Sequence, residues 1–252
     1  MSGHSKWASI KHKKAATDAK RGKAFTKIIK MLTVAARNGG GDINTNPSLR
    51  LAVQKAKEAN MPADNIDRAI KKGTGELPGV SYEQVTYEGY GPGGVAFFVE
   101  GLTDNKNRLT AEVRNIFSKC GGNLAGSGSV NWLFEKKGFF VINKSDVTED
   151  KLMSVILDAG AEDLSSEGDT FEVKSQPQDY DKVKSALDKA EIKTDSSELT
   201  MIPKNTVKVT GDQAKQVLRL VEQLEDNDDV QNVYANFDIP DDILKDSIQE
   251  SA

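Results

Sequence analysis

Near Tyr82 the apolar residues of this 252-residue chain change their period, and that change constrains the fold more than any other feature. Before it, Phe25, Ile28, Ile29 and Leu32 recur at i, i+3, i+4 and i+7, one face of an amphipathic helix. After it, short β-branched and aromatic runs follow, Glu83–Glu88 and Val95–Glu100, flanking a glycine-rich loop. The charge changes sign in the same region. Residues 1–75 hold 16 Lys+Arg against 5 Asp+Glu, a net +11, whereas residues 76–252 hold 18 against 33, a net −15. The low overall pI therefore conceals a cationic helical module joined to an anionic body.

The first helix is expected from about Lys20 to Arg37, ended by Asn38-Gly39-Gly40-Gly41. A second starts at Asn46-Pro47, a capping residue followed by proline at the first helical position, and buries Leu49, Ala52, Val53 and Ala56. A third is expected from Pro62 to Lys72, burying Ile66, Ala69 and Ile70, with Gly73 as its terminator. Residues 1–20 are polar and basic around Trp7 and lack a sustained apolar face, so order there is expected to come from a partner.

The acidic body reads as mixed α/β. After the two strands comes a helix from Asn107 to Cys120 and a strand over Val130–Phe134. Residues 138–202 then read β-α-β-β-α-β, the order of a split βαβ, ferredoxin-like unit. A strand at Thr206–Val209, a helix at Asp212–Leu224 and a strand at Val230–Phe237 remain to complete the first sheet. The expected class is α+β in three domains: an N-terminal three-helix domain and two α/β domains, the last ferredoxin-like and inserted into the middle one. The boundaries read as 1–78, 79–136 plus 203–240, and 137–202, with a tail at 241–252.

Several chemistries are disfavoured. No apolar run approaches the roughly 20 residues that cross a bilayer, and the start of the chain lacks the apolar segment of a secretory signal. A lone Cys120 forms no intrachain disulfide and suits a reducing cytoplasm. His4 and His12 are the only histidines, too few with one thiol for a zinc set. Gly89-Tyr90-Gly91-Pro92-Gly93-Gly94 matches G-x-G-x-x-G, but a strand follows where a pyrophosphate site needs a helix. Asp226, Asp228 and Asp229, like Glu162 and Asp163, read as solvated loop charges. Gly121-Gly122-Asn123 and Gly126-Ser127-Gly128-Ser129 read as flexible connectors. No enzyme activity, cofactor, metal, membrane or small-molecule substrate is expected, and the location is expected to be cytoplasmic.

The positive chemistry is electrostatic. Lys20, Lys23, Lys27, Lys30 and Arg37 form a second stripe on the first helix, continuing a tail with Lys6, Lys11, Lys13 and Lys14. Only Asp18 interrupts residues 1–37 with negative charge. Lysines meet phosphates as point charges and read no base sequence. Binding is thus expected to be backbone-driven, with a log–log salt slope of about −0.9 per neutralised phosphate on duplex. Trp7 either stacks on an unpaired base or anchors the tail to the helices. Reversing Lys20, Lys23, Lys27 and Lys30 to Glu is expected to abolish binding and leave the fold intact.

The opening Met1-Ser2-Gly3-His4-Ser5-Lys6-Trp7, then Ile10-Lys11-His12-Lys13-Lys14 and Lys20-Arg21-Gly22-Lys23-Ala24-Phe25, closely resembles the YebC/PmpR family. Further matches are Ala35-Ala36-Arg37, Asn46-Pro47-Ser48-Leu49-Arg50, Asn60-Met61-Pro62, Tyr87 to Gly94, and Val233-Tyr234-Ala235-Asn236-Phe237. The resemblance implies three domains, the first helical and two α/β, and a non-enzymatic role in gene expression. It carries two readings: a DNA-binding transcriptional regulator, or a ribosome-associated factor relieving stalling at proline-rich stretches. It also implies nucleic-acid contact at Lys6, Lys11, Lys13, Lys14, Lys20, Arg21, Lys23, Lys27, Lys30 and Arg37, with Trp7 beside them. The expected partner is therefore duplex DNA, or ribosomal RNA and the ribosome. Two rivals are a basic module that docks an acidic protein, and an enzyme that uses the body's carboxylates.

Overall fold

The computed structural model describes residues 18–240 and 243–244, and of residues 18–21 and 167 the backbone alone. It is a mixed helix and sheet protein with an N-terminal helical region followed by α/β parts. Residues 132–206 form one compact unit; the other described residues form a second.

The helical module belongs to the second unit. Helix α1 (Asp18–Gly39) packs against both α2 (Pro47–Glu58) and α3 (Ala63–Thr74). Asn46 caps α2 as its sequence position demands: its Oδ1 accepts from the Leu49 N–H at 3.0 Å. Its Nδ2 donates to the carbonyls of Ala35 and Gly40, both at 2.8 Å, so one buried amide fastens α2 to the end of α1. The core joins Ile28, Leu32 and Ala36 of α1 to Leu49, Ala52, Val53 and Ala56 of α2 and Ala69 of α3. Gly73 corrects the sequence reading, because α3 continues through it and ends at Gly75, which sits in the left-handed region at φ 85°. Gly73 is instead a packing residue. A Cβ there would lie 2.4 Å from the Thr33 carbonyl oxygen and 2.7 Å from Ala36 Cβ.

The rest of this unit is a four-stranded antiparallel sheet, ordered β3-β1-β2-β9, with α4 and α7 packed beside it. The elements are β1 (Glu83–Tyr90), β2 (Ala96–Thr103), α4 (Lys106–Lys119) and β3 (Asn123–Ala125). After the insertion come β8 (Val207–Lys208), α7 (Gly211–Glu225), β9 (Val230–Ala235) and β10 (Phe237–Asp238). β9 pairs with β2, Phe97 opposite Ala235 and Val99 opposite Val233, so the last strands do complete the first sheet. Phe97 and Phe117 of α4 meet edge to face at 5.7 Å in its core. The glycine-rich loop is a hairpin connection, with Gly93 and Gly94 at φ 70° and 77° and no helix after it.

The inserted unit runs β4 (Phe134–Asn143), α5 (Glu149–Leu157), β5 (Ala161–Glu167), β6 (Thr170–Ser175), α6 (Tyr180–Lys189) and β7 (Ser196–Pro203). Its all-antiparallel order, β5-β6-β4-β7, is that of the ferredoxin-like split βαβ. Phe140, Ile142 and Val173 of the sheet bury against Leu152, Ile156, Val183 and Leu187 of the helices. Two further expectations are corrected. Val130–Leu133 is not strand: Asn131–Leu133 makes a 3-10 turn, and Phe134 opens the long β4. Asn123 is not connector but the first residue of β3, opposite Tyr90.

Candidate nucleic-acid interface

α1 has two working faces. Phe25, Ile28, Ile29 and Leu32 turn to the helical core, so the lysines at 23, 27 and 30 must project elsewhere. In the structure they meet the turn between α7 and β9. Lys23 Nζ pairs with Asp226 Oδ1 at 2.7 Å. Lys27 Nζ donates to the Glu225 carbonyl at 2.6 Å, and Lys30 Nζ to the Asp228 carbonyl at 2.8 Å. Lys30 also forms a close ion pair with Asp229. These carbonyls lie at or just beyond the C-terminus of α7, the negative end of a helix dipole, and that end attracts ammonium groups.

Lys30 is the principal correction to the sequence reading. A residue expected on a solvated stripe is only 6% exposed, because Asp229 offers a buried carboxylate that compensates its charge. Asp229 in turn accepts from Thr103 Oγ1 at 2.8 Å and Arg108 at 2.6 Å. Burial alone would raise its carboxyl group's pKa; the bonds from Lys30, Arg108 and Thr103 outweigh that and hold it below the ordinary value. Arg108, gripped by Asp229 and Asp104, has its pKa raised above the ordinary guanidinium value. Tyr82 lies with its ring 5.7 Å from Lys30 Nζ. Burial first, then Asp104 and Asp229, pushes the Tyr82 phenol up. Lys30, Asp229, Arg108, Asp104 and Tyr82 line a polar cleft of about 530 Å³ together with Thr26, Glu112 and Asn227.

The other candidates divide. Arg37 is exposed and donates to Ser81 Oγ at 2.5 Å. Lys20 and Arg21 lie on α1 with only their backbone described, and Lys6, Trp7, Lys11, Lys13 and Lys14 lie outside the described residues. Sequence reasoning passed over Lys57, Arg68 and Lys72, which are exposed on α2 and α3. It also misread the turn: Asp226 and Asp229 are not merely solvated loop charges, because they pair with Lys23 and Lys30. Nor are Glu162 and Asp163, which pair with Lys137 and Lys174 at 2.7 and 2.8 Å. One signal was available. Glu225, Asp226, Asp228 and Asp229 cluster at a helix C-terminus, where negative charge is disfavoured unless cations arrive from elsewhere. Reversing Lys30 to Glu would thus set a carboxylate against Asp229, so the fourfold reversal would not leave the fold intact.

A second buried carboxylate lies elsewhere in the same unit. Glu88 accepts from the backbone N–H groups of Gly128 at 2.7 Å, Val130 at 2.6 Å and Asn131 at 2.9 Å. Burial opposes its ionisation, and those bonds prevail, leaving its pKa lowered. It organises the segment where the chain departs into the inserted unit, a stretch the sequence marked as a flexible connector.

Two family models match this chain. One, described as the TACO1/YebC protein N-terminal domain, covers residues 5–76; the other, the TACO1/YebC second and third domain, covers residues 82–237. A protein of Desulfatibacillum aliphaticivorans named a probable transcriptional regulatory protein is 61% identical over 244 residues, spanning 97% of this chain and 99% of its own. A likewise named protein of Geobacter sulfurreducens is 59% identical over 239 residues, spanning 95% and 96%. Among solved structures, a conserved hypothetical protein of Aquifex aeolicus matches with a TM-score of 0.80 at 46% identity, covering 90% of this chain and 94% of that one.

Proposed function

The chain belongs to the TACO1/YebC family, and from that premise we propose that it is a non-enzymatic, cytoplasmic regulator of gene expression that binds nucleic acid through its basic N-terminal module. The relatives' naming as probable transcriptional regulators supports the regulatory role. The observation that carries nucleic-acid binding is the charge division, +11 over residues 1–75 against −15 over the remainder. A cationic module draws in a polyanion while the acidic body repels it, which orients the encounter. The contacts assigned to it are Lys6, Lys11, Lys13, Lys14, Lys20, Arg21, Lys23, Lys27 and Arg37, with Trp7 stacking on an unpaired base. Lys30 joins them only when it is released from Asp229.

The second reading, an RNA- or ribosome-associated translation factor, draws support from side-chain chemistry. Bidentate reading of adenine in a major groove uses Asn or Gln, and the stripe holds neither, only lysines and an arginine, of which the lysines meet phosphates as point charges. Among the described residues no helix is long and apolar enough to cross a membrane.

The test is binding of the full chain to a promoter-length DNA duplex and, separately, co-sedimentation with ribosomes at physiological salt. A variant with Lys11, Lys13, Lys14, Lys20 and Arg21 reversed to Glu serves as control. Loss of either interaction in the variant supports the module as the contact, and which interaction the wild type makes assigns transcription or translation. Binding that survives the reversal overturns the assignment.

A further inference from the structure

The apolar cluster of the helical module draws all its members from residues 25–70. Among the described residues none comes from the α/β body, so that cluster is built from the module's own helices. The contacts described above between this module and the body are polar: Lys23, Lys27 and Lys30 on the α7–β9 turn, Arg37 on Ser81, and Lys30 over Tyr82. The body presents to those three lysines two carboxylates and two backbone carbonyls, oxygen acceptors for which phosphate oxygens can substitute. We propose that the turn Glu225–Asp229 is an internal competitor for nucleic acid, a latch that occupies part of the lysine stripe until a polyanion displaces it. This rests on the stripe's being a nucleic-acid contact.

The parts of the latch are graded. Lys23 and Asp226 pair at the solvent edge, with side chains 43% and 70% exposed, and an incoming phosphate can reach them first. Lys27, whose Nζ donates to the part-buried Glu225 carbonyl, comes next. Lys30 and Asp229 are buried and yield last. Release does not strand Asp229, because Arg108 and Thr103 remain on its other oxygen. The carboxylate therefore keeps part of its compensation with the module undocked. Closed and open arrangements are the two states a switch requires, and the polyanion acts because it binds only one of them. Binding and undocking would then be coupled, and mutations that weaken the latch should raise affinity without adding any contact.

The experiment measures dissociation constants of the full chain for a short mixed-sequence DNA duplex and an RNA hairpin. It compares wild type, Asp226→Asn, Asp229→Asn and the double variant Lys23→Glu/Lys27→Glu. Opening the latch at Asp229 is expected to tighten binding about fivefold or more, the lower end of ordinary coupling between sites, whereas Asp226→Asn, which removes only an exposed pair, should tighten it about twofold or less. The lysine variant should weaken binding. If the lysine variant weakens it but neither aspartate variant tightens it, the lysines bind without being masked and the latch is overturned. If the lysine variant binds as wild type does, the stripe reading itself fails. Because Asp229→Asn alters a buried group, wild-type hydrogen exchange supplies a second measure. Amides of residues 225–230 should lose protection when the duplex or hairpin is added, and unchanged or increased protection overturns the proposal.

Discussion

Asp229 and Glu88 are both buried carboxylates of the same α/β body with lowered pKa values, yet they are satisfied by opposite means. Glu88 is held by three backbone N–H groups forty-odd residues along its own body. Asp229 is held by side chains, two of them cations, and one of those, Lys30, arrives from the helical module. Backbone donors move only if the fold moves, so the Glu88 anchor is a fixture. A lysine on another module can leave and find another anion. The comparison separates a carboxylate that shapes a loop from one that joins two bodies.

The sharpest way to break it is Asp229→Ala. Removing one partner of a buried ion pair leaves Lys30 uncompensated, and the expected cost is about 3 kcal/mol in denaturant unfolding. Adding Lys30→Met should recover much of that loss, since both charges are then gone; no recovery would show that Arg108 and Thr103 matter more. Glu88→Ala should cost about 2 kcal/mol, because it strands the buried Val130 N–H and loosens the part-buried donors of Gly128 and Asn131. Its effect on hydrogen exchange should stay local to residues 128–131, and spread into the helical module would erase the distinction between the two anchors.

Gly73→Ala should cost about 1–3 kcal/mol by forcing α3 away from α1. It tests whether the helical core or the latch is the weaker tie: equal loss of protection in both would mean they open together. Acid should weaken both anchors. A carboxylate held low in the folded state contributes stability that is fully present above its unfolded pKa of about 4 and is lost as pH falls through the folded value. Denaturant midpoints should therefore decline below roughly pH 4, less steeply in Glu88→Gln and Asp229→Asn. The smallest effect belongs to Asp226→Asn, about 0.5 kcal/mol or less for an exposed pair. If its salt dependence matched that of Asp229→Asn, the graded order of release would be wrong.

Local rules made much of this legible. The period of Phe25, Ile28, Ile29 and Leu32, the Asn46-Pro47 start, and the β-α-β-β-α-β order of residues 138–202 each depend on near neighbours in sequence, and each is found in the fold. Gly73 and Asn123 were misread because both are decided by what lies opposite them, Thr33 and Ala36 in one case and Tyr90 in the other. The candidate site shows the same divide. Residue order was enough to specify a cationic helix with one apolar face and an acidic cluster closing a later helix. It took the packed fold to bring Lys30 and Asp229, 199 residues apart, together out of water. Charge is written into a sequence one residue at a time, but whether it stays solvated depends on burial, which chain neighbours alone do not set.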